Sequence, residues 1–213
     1  MTCEAKHHQT SSQLCCHGVN ATIHVSTSRR AYELPLSVLT GNGSLTTADG
    51  HSIGECEFEV LHRKRGYEWL DADEICSVVD EHSALACHVA ESLTYLDPCL
   101  LEVEFNSGCL LIANRIHIEP TYRGKGLWKR LYFVTMAKTI EKIRRRPLNY
   151  WFKVFPLDYE HPPKVGVDPQ NLGRAIRDLE MLYAIHLGAK RLEVPAEYGR
   201  FMSAPLPPSL TKF

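Results

Sequence analysis

Ile116-His117-Ile118-Glu119-Pro120-Thr121-Tyr122-Arg123-Gly124-Lys125-Gly126-Leu127-Trp128-Lys129-Arg130-Leu131 is the stretch on which the reading of this chain turns. The residues before it, Cys109 to Ile118, are apolar and β-branched enough for a strand, and Pro120 stops that strand. Behind Gly126, Leu127, Leu131, Val134, Ala137, Ile140 and Ile143 recur at helical steps, which predicts a helix over 127–145 ended by Pro147. A helix start leaves its first N–H groups unpaired and carries partial positive charge. Glycines at 124 and 126 allow the backbone there to approach a ligand closely. A strand, two glycines and a helix start together suit a phosphate or diphosphate. Arg123, Lys125, Lys129 and Arg130 add cations around it. The stretch holds neither Gly-x-Gly-x-x-Gly nor Gly-x-x-x-x-Gly-Lys-Ser/Thr, which disfavours dinucleotide and Walker-type readings. In isolation the same residues also fit a plain glycine-rich turn with solvated cations.

Working outward, Ala21–Thr27 alternates as a strand, and Gly41-Asn42-Gly43 and Asp49-Gly50 read as turn signals. Residues 51–65 read as a long strand or hairpin arm. Residues 71–93 form an apolar stripe at three- and four-residue steps, a single helix capped by Asp71 or Asp73, with His82 on the stripe as a core histidine. After Pro98, Cys99–Phe105 alternates, Asn106-Ser107-Gly108 turns, and 109–118 returns, which together suggest a hairpin. Tyr150–Phe155 is a short strand, 170–187 a helix with Gly188 at its C-terminal cap, and 191–194 a last strand. Strands, a helix, a hairpin and further helices in this order predict a mixed α/β (α+β) fold with a largely antiparallel, twisted sheet flanked by helices. Residues 1–18 read as a flexible arm, 19–194 as one domain, and 195–213 as a proline-rich tail.

Composition bounds the function. The 213 residues are 44% hydrophobic and 23% charged, with a net charge of −1. That is enough for a real core and too little charge to draw the chain to nucleic acid or an anionic membrane. No apolar run is long enough to span a bilayer, and the polar start lacks a signal-peptide core, so a cytoplasmic protein is expected. Of the eight cysteines, Cys56, Cys76, Cys87, Cys99 and Cys109 lie in apolar segments and read as reduced, buried hydrophobes. His7, His8, Cys15, Cys16 and His17 in the arm match no standard zinc spacing, so no metal site is expected.

Ile118-Glu-Pro-Thr-Tyr-Arg-Gly-Lys-Gly126 resembles the signature of the GNAT superfamily of acyl-CoA-dependent N-acyltransferases. That signature is Gln/Arg-x-x-Gly-x-Gly/Ala, often within Val-x-Pro-x-Tyr-Arg-Gly-Lys-Gly. Thr121 departs from it, standing where Gln or Arg is usual. Leu182-Tyr183-Ala-Ile-His-Leu-Gly188 is similar to the Leu-Tyr-x-x-x-x-Gly ending of a later helix in that family. The resemblance covers about residues 98–194.

The resemblance implies acetyl-CoA, or another acyl-CoA, as cofactor and transfer of the acyl group to a primary amine on a small molecule or peptide. It implies that main-chain groups of 115–118, including Ile116, His117 and Ile118, pair with the pantetheine arm. The amides of Arg123, Gly124, Lys125, Gly126 and Leu127 would take the diphosphate. It offers Tyr183 as proton donor to the leaving thiolate. Many relatives carry a basic carboxylate on the strand before the loop, but Leu110–Ile118 holds no Asp or Glu. Glu104, His117 and Glu119 are the substitutes, and an imidazole titrates in the useful range. Two other readings stand beside this one: a non-catalytic acyl-CoA-binding module, and an acyltransferase acting on an RNA-linked amine. A nucleic-acid or membrane partner is not expected, and a homodimer stays open.

Overall fold

A computed structural model describes residues 8–12, 19–27, 35–143, 146–159, 168–195 and 198–208. In chain order the elements are β1 (His8–Ser12), β2 (Val19–Thr27), β3 (Leu36–Thr47), β4 (Ser52–Arg63), α1 (Ala72–Asp80), α2 (Ala84–Leu96), α3 (Pro98–Ser107), β5 (Leu110–Ile118), α4 (Leu127–Ile140), β6 (Asn149–Lys153), α5 (Leu172–Leu187), β7 (Lys190–Arg191) and β8 (Phe201–Pro205). They fall into two compact units, Met1–Tyr67 with Leu111–Arg146, and Glu68–Leu110 with Pro147–Phe213. The β1–β2, β2–β3, β3–β4, β6–β8 and β7–β8 pairs are all antiparallel. The class is the expected one, mixed α/β with a largely antiparallel sheet flanked by helices.

In the first unit β1 to β5 lie side by side in chain order, and α4 packs on β2, β3 and β4. One face of the sheet is apolar because side chains alternate along each strand. Val19, Ala21, Ile23, Leu45, Cys56, Phe58 and Val60 are buried. The helix answers with Leu127, Leu131, Thr135 and Thr139, and with Tyr132, Met136 and Ile140, two rows at four-residue steps. Tyr132 meets Phe58 edge-on with ring centres 4.8 Å apart.

Gly41 and Gly43 do not turn the chain, as the sequence suggests; both sit inside β3, paired with Phe58 and Cys56 of β4. A Cβ on Gly41 would land on the Thr139 hydroxyl, and one on Gly43 on the Thr135 hydroxyl. Glycine at these two positions is therefore a packing requirement for the close approach of α4. The turn lies further on, at Asp49-Gly50. There Gly50 takes a φ of 85° and its amide donates to the Thr47 carbonyl at 3.0 Å.

In the second unit the single helix expected over 71–93 is two. Asp71 accepts from the Glu74 amide at 2.9 Å while Glu74 accepts from the Asp71 amide at 3.0 Å, a capping box that starts α1. Ser83 then accepts from the Ala86 amide and starts α2, so His82 lies in the break rather than on a continuous stripe. Asp71→Ala is expected to cost about 1 kcal/mol, read as a lower urea midpoint at unchanged slope.

The expected hairpin over 99–118 is also replaced: Pro98–Ser107 is helical. Asp97 accepts from the Cys99 amide and Pro98 occupies the first turn, the start signal that outweighs the alternating pattern. Leu101 and Phe105, four apart, are buried, while Leu100, Val103 and Cys99 are exposed. Cys99 is thus not the buried hydrophobe expected. In the stretch read as a tail, β8 pairs with β6 over five residues and buries Phe201, Met202 and Ala204. In the stretch read as an arm, β1 pairs with β2. His7, Cys15, Cys16 and His17 lie outside the described residues. No described helix is long and apolar enough to cross a membrane.

Candidate functional site

The end of β5 is seated by close packing within the first unit. The Glu119 amide donates to the Ile53 carbonyl at 2.9 Å, and Ile118 presses on Gly54, where a Cβ would collide with its side chain. Pro120–Tyr122 then form one 3-10 turn, with the Tyr122 and Arg123 amides donating back to Glu119 and Pro120. The Arg123 side chain closes the loop: its Nε donates to the Ile118 carbonyl at 2.9 Å. Both the amide and the side chain of Arg123 are therefore committed to the loop itself.

Gly124 and Gly126 follow with φ of 78° and 71°, the left-handed region that a residue with a Cβ enters only at a cost. Nothing lies within 4 Å of a Cβ on either one. Their requirement for glycine is thus conformational, and the space before them is open. Gly126 caps α4 without any side-chain hydrogen bond. Among the described residues, the amides of Gly124, Gly126 and Leu127 have no main-chain acceptor outside helix α4. Lys125 lies over the Tyr122 ring at 5.1 Å and Lys129 over Trp128 at 5.8 Å, which holds both ammonium groups near the loop. The arrangement presents unused donors and cations at a helix start, the chemistry that takes a diphosphate.

The expected site residues divide between the two units. Ile116, His117, Ile118, Glu119 and the loop 123–127 lie in the first, and Glu104 and Tyr183 in the second. Glu119 meets His51, with Oε2 3.2 Å from Nε2. His117 is half-exposed on β5, two residues after Arg115 and so on the same face of that strand. Tyr183 on α5 sets its ring edge-on to Phe152 at 4.9 Å, and burial of its hydroxyl pushes that group up to about 12.

Glu104 is not on a strand as expected but on α3, 4% exposed, with Asn149 Nδ2 donating to its Oε1 at 3.1 Å. Burial outweighs that hydrogen bond and raises its carboxyl from 4.5 to about 7. A raised acid makes the fold prefer the protonated form. Stability from this group is present below about pH 4.5 and is lost as pH rises through 7. Glu104→Gln should therefore gain on the natural chain between pH 5 and 8, by roughly 3 kcal/mol at most, in urea unfolding at the two pH values. A pH-independent difference would show that the carboxyl is not strained by burial.

A second feature escapes sequence reading. On the face of the first unit's sheet turned away from α4, a cavity of about 330 Å³ is lined by residues including His24, Asn42, Ser44, Glu55, Glu57 and Arg115. Asn42 is the cross-strand partner of Glu57, Ser44 of Glu55, and His24 of Asn42. Arg115 Nε pairs with Glu55 Oε1 at 3.1 Å, and the Asn114 amide donates to Glu57. The carboxylates missing from β5 are thus supplied across it by β4. The signal in the sequence is Glu55-x-Glu57-x-Glu59, but only the placing of β4 beside β5 links it to Asn114 and Arg115.

No family model matches this chain, and no curated protein matches it in sequence. Solved structures similar in shape include the following three. A mosquito arylalkylamine N-acetyltransferase-like protein is 13% identical, with 78% of this chain and 74% of that one aligned, at a TM-score of 0.42. An agmatine N-acetyltransferase is 10% identical over 78% and 76%, at 0.40. A Drosophila melanogaster polyamine N-acetyltransferase, which forms N-acetylagmatine, is 9% identical over 78% and 74%, at 0.38. At these identities and TM-scores the likeness assigns no activity to this chain.

Proposed function

We propose that this chain is an acyl-CoA-dependent N-acyltransferase. The observation that carries the reading is the loop before α4: two left-handed glycines, open space in front of them, and amides at Gly124, Gly126 and Leu127 with no acceptor found for them outside the helix among the described residues. Those amides, with Lys125 and Lys129, take the diphosphate of coenzyme A. Arg123 holds the loop in shape and contributes its charge. The pantetheine arm pairs with Ile116, His117 and Ile118. With the diphosphate at the loop, the arm runs back along β5 and carries the thioester toward Arg115.

The reaction is attack of a neutral amine nitrogen on the thioester carbonyl carbon. The C–S bond breaks, the nitrogen loses a proton, and the thiolate gains one, leaving an amide and the free thiol. Holding both reactants in place supplies much of the acceleration. His117 is suited to receive the proton, because an imidazole exchanges protons near neutrality. Glu119 is the alternative base, held by His51. Glu104 is enclosed and hydrogen-bonded to Asn149, so we assign it to the fold rather than the reaction. Tyr183 enters this proposal as proton donor on the family resemblance alone; burial raises its hydroxyl to about 12, which makes it a weaker acid than a free tyrosine.

The test is acetyl-CoA with a panel of primary amines, following release of the free thiol. Thiol release that requires the amine supports the proposal. Tight CoA binding without transfer to any amine favours the non-catalytic acyl-CoA-binding module instead.

A further inference from the structure

We propose that the acceptor is a small diamine, or an amine with a second cationic group, and that the cavity over β3 and β4 holds its non-reacting ammonium against Glu57. This rests on the acyltransferase reading above. Three observations on the first unit support it.

The first is charge. The cavity is lined by two carboxylates against one guanidinium, and Arg115 is already engaged with Glu55. Glu57 receives only the neutral Asn114 amide; among the described residues it has no cationic partner. A carboxylate in a concave, partly covered place, without its own counter-ion, favours a ligand cation.

The second is the donor and acceptor set. Asn42, Ser44 and His24 stand on the two strands beside the carboxylates, in register with them. Between them they offer acceptor oxygens and a ring nitrogen to the several N–H groups of an ammonium or guanidinium. Glu55 is taken by Arg115, which leaves Glu57 as the carboxylate for one ammonium of a short diamine. The cavity, about 330 Å³, is sized for such a molecule and too small for a folded partner.

The third is position. Arg115 and Asn114, whose side chains reach Glu55 and Glu57, are the β5 residues toward which the pantetheine arm runs when the diphosphate sits at Gly124–Leu127. The cavity therefore lies beside the thioester end of the cofactor strand, not its diphosphate end. A diamine anchored at Glu57 by one ammonium has its other nitrogen free to lose a proton and attack.

The experiment compares putrescine with butylamine, equal in chain length and differing in the second amine, on the whole chain and on Glu57→Gln. Glutamine keeps the shape and an acceptor for Asn114 but removes the charge. Thermal unfolding of the variant confirms that it folds, and coenzyme A binding is measured separately by calorimetry. The expected result is that putrescine is preferred by about tenfold in kcat/KM, that Glu57→Gln removes the preference mainly through KM, and that CoA affinity is unchanged. Equal use of both amines, or a preference that survives Glu57→Gln, overturns the inference while leaving the acyltransferase reading standing. Failure of the natural chain to bind coenzyme A overturns that reading, and the acceptor role with it.

Discussion

Gly126→Glu is expected to lose coenzyme A affinity by at least about 100-fold while the protein remains folded, because the substitution places a carboxylate in front of the amides that would hold the diphosphate. Two effects combine in it. Any L-residue at the φ of 71° costs about 1–2 kcal/mol of local strain. The added charge then opposes the phosphates directly. Gly126→Ala separates the two, since no atom lies within 4 Å of a Cβ there and only the strain is paid. Calorimetric titration with coenzyme A should rank the natural chain above the alanine variant and the alanine variant well above the glutamate one. Equal affinities for all three would mean that the ligand does not sit at this loop.

Gly43→Val is expected to destabilise the first unit by about 3 kcal/mol, at the upper end of what overpacking costs, and to lower the melting temperature by roughly 10 °C. The reason is steric. The Cβ alone would coincide with the Thr135 hydroxyl, with Leu131 and Cys56 also at contact distance, and β3 cannot retreat because Gly43 is paired with both Ile23 and Cys56. The collision predicts coupling: Thr135→Ala should recover part of the loss caused by Gly43→Ala, so the double variant should be more stable than the sum of the two singles implies. The Cys56 thiol, 3.2 Å from the Thr135 hydroxyl and raised to about 12 by burial, reports on the same contact. If α4 is displaced, Cys56 should begin to react with thiol reagents that spare it in the natural chain.

The parts of the fold that were legible in the sequence are those where one signal dominates. The strand-to-helix junction at 116–131 carries a proline, two glycines and a helical repeat, and β5 and α4 form there, although α4 ends at Ile140 rather than near 145. Gly188 at the end of α5 is left-handed, as a C-terminal cap should be. Misreadings fall where a residue has two physical uses. Gly41 and Gly43 serve close helix packing, which requires Thr135 and Thr139 from ninety residues further on. Cys99–Phe105 alternates like a strand, yet Asp97 and Pro98 start a helix. The strand at 201–205 lies among prolines, and its pairing with β6 is a tertiary fact with no local signature.

The candidate site divides in the same way. The loop geometry follows from its glycines. The commitment of Arg123 to the Ile118 carbonyl is set by the local shape of the loop, and the supply of carboxylates from β4 to the side chains of β5 follows only from the two strands lying side by side. The alternating pattern around Glu104 suggests a strand and a substitute base; on α3 the residue is enclosed and bonded to Asn149.

The central claim is that main-chain amides ahead of α4 receive the cofactor's diphosphate. The most direct measurement is a titration of the 15N-labelled chain with coenzyme A, followed amide by amide. The account predicts large, saturable shifts at Gly124, Gly126 and Leu127 that report one dissociation constant. Unmoved signals at all three under saturating coenzyme A would contradict it.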